Sequence, residues 1–171
     1  MSKRQKFVSL YWFSYLLSSF TSLHGCSEMS HNYNRKWIVM CWNVRGLNSK
    51  EKWNAIKDKV IESGCDVVCF QETKKEQVDV NFIKNVCPIS FDKYEFLPSV
   101  GASGGILTAW KSSLFRGQLA FTNEFALSVE FYSLHNNDSW LLINVYGPYI
   151  AEGKRNFMEW FQQIQMLEFV D

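Results

Sequence analysis

The chain has 171 residues, 47% of them hydrophobic and 20% charged, and its formal net charge is +1. This composition indicates one globular domain and excludes an intrinsically disordered chain. Its five cysteines are irregularly spaced, without a Cys-x-x-Cys pair, which argues against a zinc site and against a disulfide framework. The near-zero charge neither supports nor excludes a nucleic-acid partner.

Residues 1–35 differ in character from the rest of the chain. Three basic residues precede an uncharged stretch at residues 7–27, whose apolar part covers residues 7–17. A basic start followed by an apolar run has the outline of a signal peptide. The run is too short and too rich in serine to cross a bilayer, which takes about 20 mostly apolar residues. We therefore predict an unstructured leader without membrane association, and a secretory signal is the alternative.

A strand, a helix and a second strand are predicted next. Residues 37–42 and 66–70 are near-continuous apolar runs, which is typical of strands that are buried on both faces. Between them, apolar residues recur at helical spacing from Asn48, with Glu51 completing a capping box, to the terminator Gly64. Parallel strands joined in this way form a right-handed crossover, and ligands of such sheets bind beyond the carboxyl ends of the strands.

An amide and a carboxylate stand at those two carboxyl ends. Asn43 follows the first run, and Glu72 follows the second. Oxygen ligands of these types hold Mg²⁺ for phosphate chemistry, with water and substrate oxygens completing the coordination. The spacing thus predicts a metal site at one edge of the sheet.

The remainder is predicted to be rich in β-structure and to end in a helix. Short strands are expected at residues 94–97, where Pro98 interrupts, and at 104–110, 125–131 and 140–146. The final helix is marked by apolar residues at helical spacing, namely Phe157, Trp160, Phe161 and Ile164.

Four motifs in this order resemble those of the endonuclease/exonuclease/phosphatase superfamily. They are residues 42–48, residues 71–73, residues 103–105 leading to Trp110, and residues 144–148. The resemblance is greatest to the endonuclease domain of plant LINE-type (non-LTR) retrotransposon polyproteins. It implies a four-layer α/β/β/α sandwich, DNase I-like, that nicks DNA with Mg²⁺. The implied domain limits are residues 1–35 for the unrelated leader, 36–168 for the N-terminal portion of the domain and 169–171 for a tail.

The resemblance also implies roles for individual residues. Glu72 would be the main Mg²⁺ ligand, and Asn43 would contribute to the metal and phosphate site. Tyr146 would act at the phosphate or the attacking water, and Asn144 shares its motif, so both are candidate catalytic residues. Arg45 stands where repair enzymes of the superfamily often carry an acid, which favours the transposon branch over apurinic-site repair.

Two later motifs of the family, one like Gly-Asp-Phe-Asn and one like Ser-Asp-His, do not occur in this sequence. None of His24, His31 and His135 matches the missing histidine, so no general base is assigned. We therefore expect a C-terminally truncated domain, with the first sheet and its helices largely present and the second sheet incomplete. Because the loss of a general acid–base group typically costs a factor of about 10²–10⁴, we expect weak Mg²⁺ binding and incomplete catalysis.

Other interpretations remain open at this point. One is an active nuclease or phosphatase that a partner or a longer transcript completes. Another is a secreted or membrane-associated protein without enzymatic activity. By resemblance the partner is DNA and the location intracellular and nuclear. An incomplete second sheet would expose an apolar face, from which we expect self-association.

Overall fold

The computed structural model describes residues 5–11, 37–101, 103–136, 138–148 and 151–166. The strands in this part of the chain are β1 (Gln5–Tyr11), β2 (Val39–Asn43), β3 (Val67–Gln71), β4 (Lys93–Val100), β5 (Ser103–Trp110), β6 (Phe115–Asn123), β7 (Ala126–Ser133) and β8 (Ser139–Tyr146). The helices are α1 (Lys50–Ser63), α2 (Val80–Val86) and α3 (Ala151–Met166).

The strands form two four-stranded sheets. The first sheet has the order β2-β3-β5-β4, with β2 and β3 parallel and joined by α1, and with β5 antiparallel to both β3 and β4. The second sheet has the order β1-β8-β7-β6, in which β1 is parallel to β8 and the other neighbours are antiparallel. The strand–helix–strand unit predicted from the sequence is therefore present.

Three apolar clusters show how the layers are stacked. The first joins the outer face of the first sheet to α1 and α2, and includes Phe70, Leu107, Ile56, Val60 and Ile83. The second lies between the sheets, where Val67, Cys69 and Trp110 meet Val129, Phe131 and Leu142. The third joins the outer face of the second sheet to α3 and includes Ala126, Ile143, Val145 and Phe157. The order is helix, sheet, sheet, helix, which confirms the predicted α/β fold class. The described ranges contain two sheets and three helices, one helix more than the sequence predicted.

Aromatic rings fill the space between the sheets at the end away from Asn43. The Phe131 and Trp140 rings are stacked with centroids 4.5 Å apart, and Phe115 packs edge-on against Phe131 at 5.5 Å. Gly117 provides the room for this packing, since a Cβ there would overlap the ring of Trp110. Aromatic residues make up 16% of the chain. In this region they serve core packing, where such ring pairs add to the gain from burial.

Several local predictions need correction. The N-cap of α1 is Ser49, one residue after the predicted Asn48, and its side chain caps no backbone amide of the helix but donates to Glu51 at 2.6 Å. The end of the helix is as predicted, with Gly64 left-handed at φ 63°. Strand β4 continues through Pro98, because β4 is an edge strand and loses no ladder hydrogen bond on its open side.

The sequence analysis missed three elements: α2, β6 and β1. Strand β1 lies within the predicted leader and pairs with β8 from Gln5 opposite Trp140 to Tyr11 opposite Tyr146. The described part of the second sheet thus contains four strands, one of them from the N-terminal segment. Residues 1–4 and 12–36, which include His24 and His31, lie outside the described residues, and the domain boundary at residue 36 stays a prediction.

No helix in the described ranges is long and apolar enough to cross a membrane. Four of the five cysteines, Cys41, Cys65, Cys69 and Cys87, are described, and all four are free thiols. Burial raises the pKa of the thiols of Cys65, Cys69 and Cys87. A neutral buried thiol is a poor nucleophile, so these three side chains act as small core residues.

Candidate metal and phosphate site

The segment that carries Glu72 is held by backbone hydrogen bonds on both sides. On one side, the amides of Val44, Gly46 and Leu47 donate to the carbonyls of residues 71, 72 and 73 at 2.9, 2.6 and 2.8 Å. On the other side, the amides of residues 73 and 74 each donate at 3.0 Å to the carbonyls of Gly105 and Gly104. These bonds fix the position of the Glu72 backbone before any ligand binds.

Glu72 has a left-handed backbone, with φ 53°. Successive side chains of a strand point to opposite faces, so Glu72 would face the helices if β3 continued, because Gln71 faces the second sheet. The left-handed turn breaks this alternation, and Glu72 also points toward the second sheet. Non-glycine residues rarely adopt such a backbone and are enriched at functional sites when they do. Arg45 at φ 49° and Lys74 at φ 53°, both near Glu72, share it.

Glu72 and Tyr146 meet across the two sheets. The Tyr146 hydroxyl donates to Glu72 Oε1 at 2.6 Å, although the residues are 74 positions apart in the sequence. Both side chains are partly exposed, and Tyr146 is the last residue of β8. The structure thus brings together two of the site residues that the motifs predicted.

Asn43 lies beside this pair at the end of β2. In the parallel register it is opposite Gln71, which is the residue that precedes Glu72. Its side-chain Oδ1 accepts a hydrogen bond from the amide of Arg45 at 3.1 Å, which closes a tight turn after the strand. An amide oxygen accepts more than one interaction, so Oδ1 retains capacity for a cation.

Asn144 occupies a different position from the other three candidates. Its side chain is fully buried between the sheets, where Oδ1 accepts from Gln71 Nε2 at 2.5 Å. Its Nδ2 donates to Leu107 O and Thr108 Oγ1, each at 3.1 Å. A residue in this position does not touch a substrate outside the protein, so the structure gives no support to the direct catalytic role expected of Asn144.

Gly105 allows β5 to approach the Glu72 segment closely. Its φ is 86°, and a Cβ at this position would overlap Thr73 Oγ1 and lie 3.2 Å from the backbone nitrogen of Lys74. The neighbouring Gly104 is also left-handed, at φ 76°, but a Cβ there would meet nothing within 4 Å. The close backbone approach therefore occurs at Gly105 and not at Gly104.

Three cationic residues lie near the segments that carry Asn43 and Glu72. Arg45 is exposed, and Lys52 Nζ donates to the Arg45 carbonyl at 3.1 Å. Lys75 lies over the rings of Trp53 and Phe82, at 5.7 and 5.0 Å from their centroids. Trp53 and Phe82 belong to the layer of α1 and α2, so the Lys75 ammonium lies on the opposite face of the first sheet from Glu72.

His135 lies far from this edge. Its ring contacts Trp37, with centroids 5.9 Å apart, and Trp37 precedes the start of β2 whereas Asn43 ends it. At about 3.3 Å per residue of strand, Trp37 and Asn43 are roughly 20 Å apart. His135 therefore cannot act on a group bound at Glu72.

The donor set at the site suits a hydrated hard cation. Glu72 offers a carboxylate, Asn43 offers an amide oxygen, and within the described ranges Glu72 Oε2 has no hydrogen-bond partner. The same ranges contain no group of three or more His, Cys, Asp or Glu side chains that could hold a metal ion. Mg²⁺ commonly retains several waters and needs only one or two protein carboxylates, whereas zinc requires a fuller set of ligands. These residues therefore fit Mg²⁺ with few protein ligands.

No protein-family model matches the chain, and the search of curated proteins also found no match. Solved structures do match. The crystal structure of the AP endonuclease LMAP from Leishmania major is 25% identical, with 66% of this chain and 40% of that chain covered and a TM-score of 0.48. The Xenopus laevis APE2 catalytic domain is 20% identical, with 68% and 46% covered and a TM-score of 0.47. The chain thus spans less than half the length of either structure.

Three polar residues behind the site were not among the predicted site residues. Gln71 and Thr108 complete the buried network around Asn144, and Thr73 is buried against Gly105. Gln71 and Thr73 flank Glu72 in its motif, so the sequence did contain a signal for them. Thr108 lies in an apolar strand without any motif, and only the packing of the two sheets reveals its part.

Proposed function

We propose that residues 36–168 form the N-terminal portion of a Mg²⁺-dependent DNA endonuclease domain, a phosphodiesterase of retrotransposon origin. The observation that carries this proposal is the hydrogen bond from Tyr146 to Glu72 Oε1 at 2.6 Å. It joins two motifs from different sheets at the edge where Asn43 also lies. A packing role alone would not require a carboxylate on a left-handed backbone at this place.

Each residue has a part in this proposal. Glu72 and Asn43 would hold Mg²⁺, and the cation would supply polarisation of a phosphate oxygen. Tyr146 orients the Glu72 carboxylate by engaging Oε1, which leaves Oε2 available to a cation. This hydrogen bond is formed before binding, so little reorganisation accompanies the arrival of the ligand.

We further propose that the chain alone binds the cation weakly and cleaves slowly. Within the described ranges, His135 is too distant to serve as a base and the site holds no cluster of three ligating side chains. General acid–base catalysis typically contributes a factor of about 10²–10⁴, and this contribution would be missing. A partner chain that supplies the base would restore the rate.

The test is nicking of supercoiled plasmid in Mg²⁺, combined with a titration of Mn²⁺ as a probe. We expect saturable Mn²⁺ binding and slow nicking that a chelator stops. Glu72→Ala should abolish both, whereas the control Glu76→Ala, which removes an exposed carboxylate four residues later, should leave both unchanged. Absence of Mn²⁺ binding would refute the proposed function. Fast nicking that Glu72→Ala abolishes would refute the proposal that the chain alone cleaves slowly.

Arg45 bears on the choice of substrate. Arg45 is exposed and stands two residues after Asn43, where repair enzymes of the superfamily that the motifs resemble often carry an acid. We therefore propose that intact DNA, not an abasic site, is the substrate. A comparison of one duplex with and without a single abasic site should show no preference for the abasic form, and a strong preference for it would favour a repair activity.

A further inference from the structure

Two side-chain bridges join the sheets at the candidate site. The outer one is the hydrogen bond between Tyr146 and Glu72, which is partly exposed. The inner one is the hydrogen bond from Gln71 Nε2 to Asn144 Oδ1, and both of these side chains are fully buried. Gln71 precedes Glu72 directly, and Asn144 is two residues before Tyr146. The inner bridge is therefore linked to the outer one through very short stretches of backbone on both sides.

The inner bridge is an unusual choice for the core at this point. The neighbouring layer between the sheets is apolar, with Cys69 beside Gln71 on one sheet and Leu142 beside Asn144 on the other. Gln71 Oε1 is also buried and has no hydrogen-bond partner in the described part of the chain. An unpartnered buried acceptor is destabilising, and an apolar pair of similar shape is often as stable or more stable. Stability alone thus does not explain the two amides.

A third strand fixes the orientation of the inner bridge. Asn144 Nδ2 donates to Leu107 O and Thr108 Oγ1 at 3.1 Å each, and both acceptors belong to β5. The amide of Asn144 is therefore oriented by β5, and its Oδ1 is directed to Gln71 on β3. Apolar contacts permit small sliding movements, whereas this set of hydrogen bonds defines one distance between β3 and β8.

We propose that Gln71 and Asn144 are positioning residues that set the spacing of the two sheets, and thereby the geometry of Glu72 and Tyr146 toward the cation. The proposal rests on the proposed function, because the geometry that matters is that of the cation site. It gives Asn144 an indirect role in place of the contact with substrate that its motif had suggested. Residues that orient metal ligands in this way typically affect metal affinity by about 10–100-fold when they are replaced.

The test uses the full chain with both amides replaced by apolar side chains of similar shape, Gln71→Met together with Asn144→Leu. Two properties are measured: the affinity for Mn²⁺, from the paramagnetic resonance signal of the free ion, and the ¹³Cζ chemical shift of Tyr146 without metal. We expect Mn²⁺ to bind about 10–100-fold more weakly. We also expect the Tyr146 chemical shift to change, because the hydroxyl no longer lies at the same distance from Glu72. The unfolding midpoint should be unchanged or higher.

Ser128→Ala is the matched control. Ser128 is also fully buried, and its Oγ donates to Leu142 O at 3.2 Å, so this change removes one buried hydrogen bond without touching the bridge. It should lower the unfolding midpoint and leave the Mn²⁺ affinity unchanged. Thr108→Val is a milder variant in case the double variant does not fold. It removes one anchor of Asn144 and should weaken Mn²⁺ binding to a smaller extent.

The outcomes separate the two levels of the proposal. If the unmodified chain binds no Mn²⁺, the proposed function is wrong, and the Tyr146 signal of the variants alone decides the positioning role. If the unmodified chain binds Mn²⁺ and the double variant, or Thr108→Val in its place, binds it equally well with the same Tyr146 signal, the positioning role is wrong. If Ser128→Ala weakens binding as much as the double variant, loss of stability explains the effect and the positioning role is wrong.

Discussion

Glu72 reaches the second sheet because its own backbone turns out of the strand, at φ 53°, while hydrogen bonds hold the segment on both sides. The sequence predicted that Glu72 stands at a strand end, and its motif suggested the role. Period-two alternation, however, would have directed Glu72 to the helices, opposite to Gln71. The residues next to Glu72 do not predict the close approach of β5, because that approach depends on Gly105, some thirty residues later.

The two glycines of β5 give a stability prediction at this scale. Gly104→Ala introduces only the strain of a left-handed alanine, and we expect a loss of about 1 kcal/mol in the free energy of unfolding. Gly105→Ala adds an overlap with Thr73 Oγ1, so we expect a loss of about 2–4 kcal/mol. Chemical denaturation of the two variants measures the difference. Equal losses would show that the contact with Thr73 is unimportant.

Glu95 gives a prediction for the dependence of stability on pH. Burial raises the pKa of its carboxyl above 4.5, so the folded state binds more protons than the unfolded state between 4.5 and the raised value. Stability is therefore lost as the pH rises through that window. At pH 7, Glu95→Gln should raise the free energy of unfolding, measured by chemical denaturation. The increase should be less than about 1 kcal/mol because the group is partly exposed, and it should be smaller still below pH 4.5. A gain that is the same at both pH values would contradict this explanation.

At the scale of elements, strands with a strong apolar pattern were predicted within one or two residues, since β3, β7 and β8 are buried on both faces for much of their length. Elements without such a pattern were missed. Helix α2 has only seven residues, too few to show a period, and β6 is mostly exposed. Strand β1 was assigned to a leader because its basic start resembles a targeting segment, and its pairing with β8 is a tertiary feature.

The N-termini of the helices offer a prediction at this scale. Asp79 accepts a hydrogen bond from the amide of Phe82 at 2.7 Å and so caps α2, whereas the side chain of Ser49 makes no such bond to α1. We expect Asp79→Ala to lower the free energy of unfolding by about 1 kcal/mol. Ser49→Ala should change it by less than about 0.5 kcal/mol. Thermal unfolding followed by circular dichroism tests this, and a larger effect of Ser49→Ala would contradict the assignment of the caps.

For the whole molecule, the position of β1 matters most. It covers the edge of β8, whose residues are largely buried and which ends at Tyr146. Without β1, β8 would present unpaired amides and carbonyls, which is a template for pairing with another chain. The self-association through an exposed sheet face that the sequence predicted stays a prediction.

Deletion of residues 1–11 should therefore promote association. In sedimentation velocity at several concentrations, we expect the shortened chain to form dimers or larger species at concentrations where the full chain does not. Deletion of residues 1–4, which precede β1, is the control and should behave as the full chain does. Identical sedimentation of all three chains would show that β1 does not protect the β8 edge.

The cation site of this account consists of Glu72 and Asn43, with the Glu72 carboxylate oriented by Tyr146 from the other sheet. The most direct measurement is the site-specific broadening of nuclear magnetic resonance signals by Mn²⁺, in the unmodified chain and in Glu72→Gln. We predict saturable broadening centred on Asn43, Glu72 and Tyr146, which Glu72→Gln abolishes while the rest of the spectrum is unchanged. Broadening that is spread over exposed carboxylates, or that persists equally in Glu72→Gln, would contradict the claim.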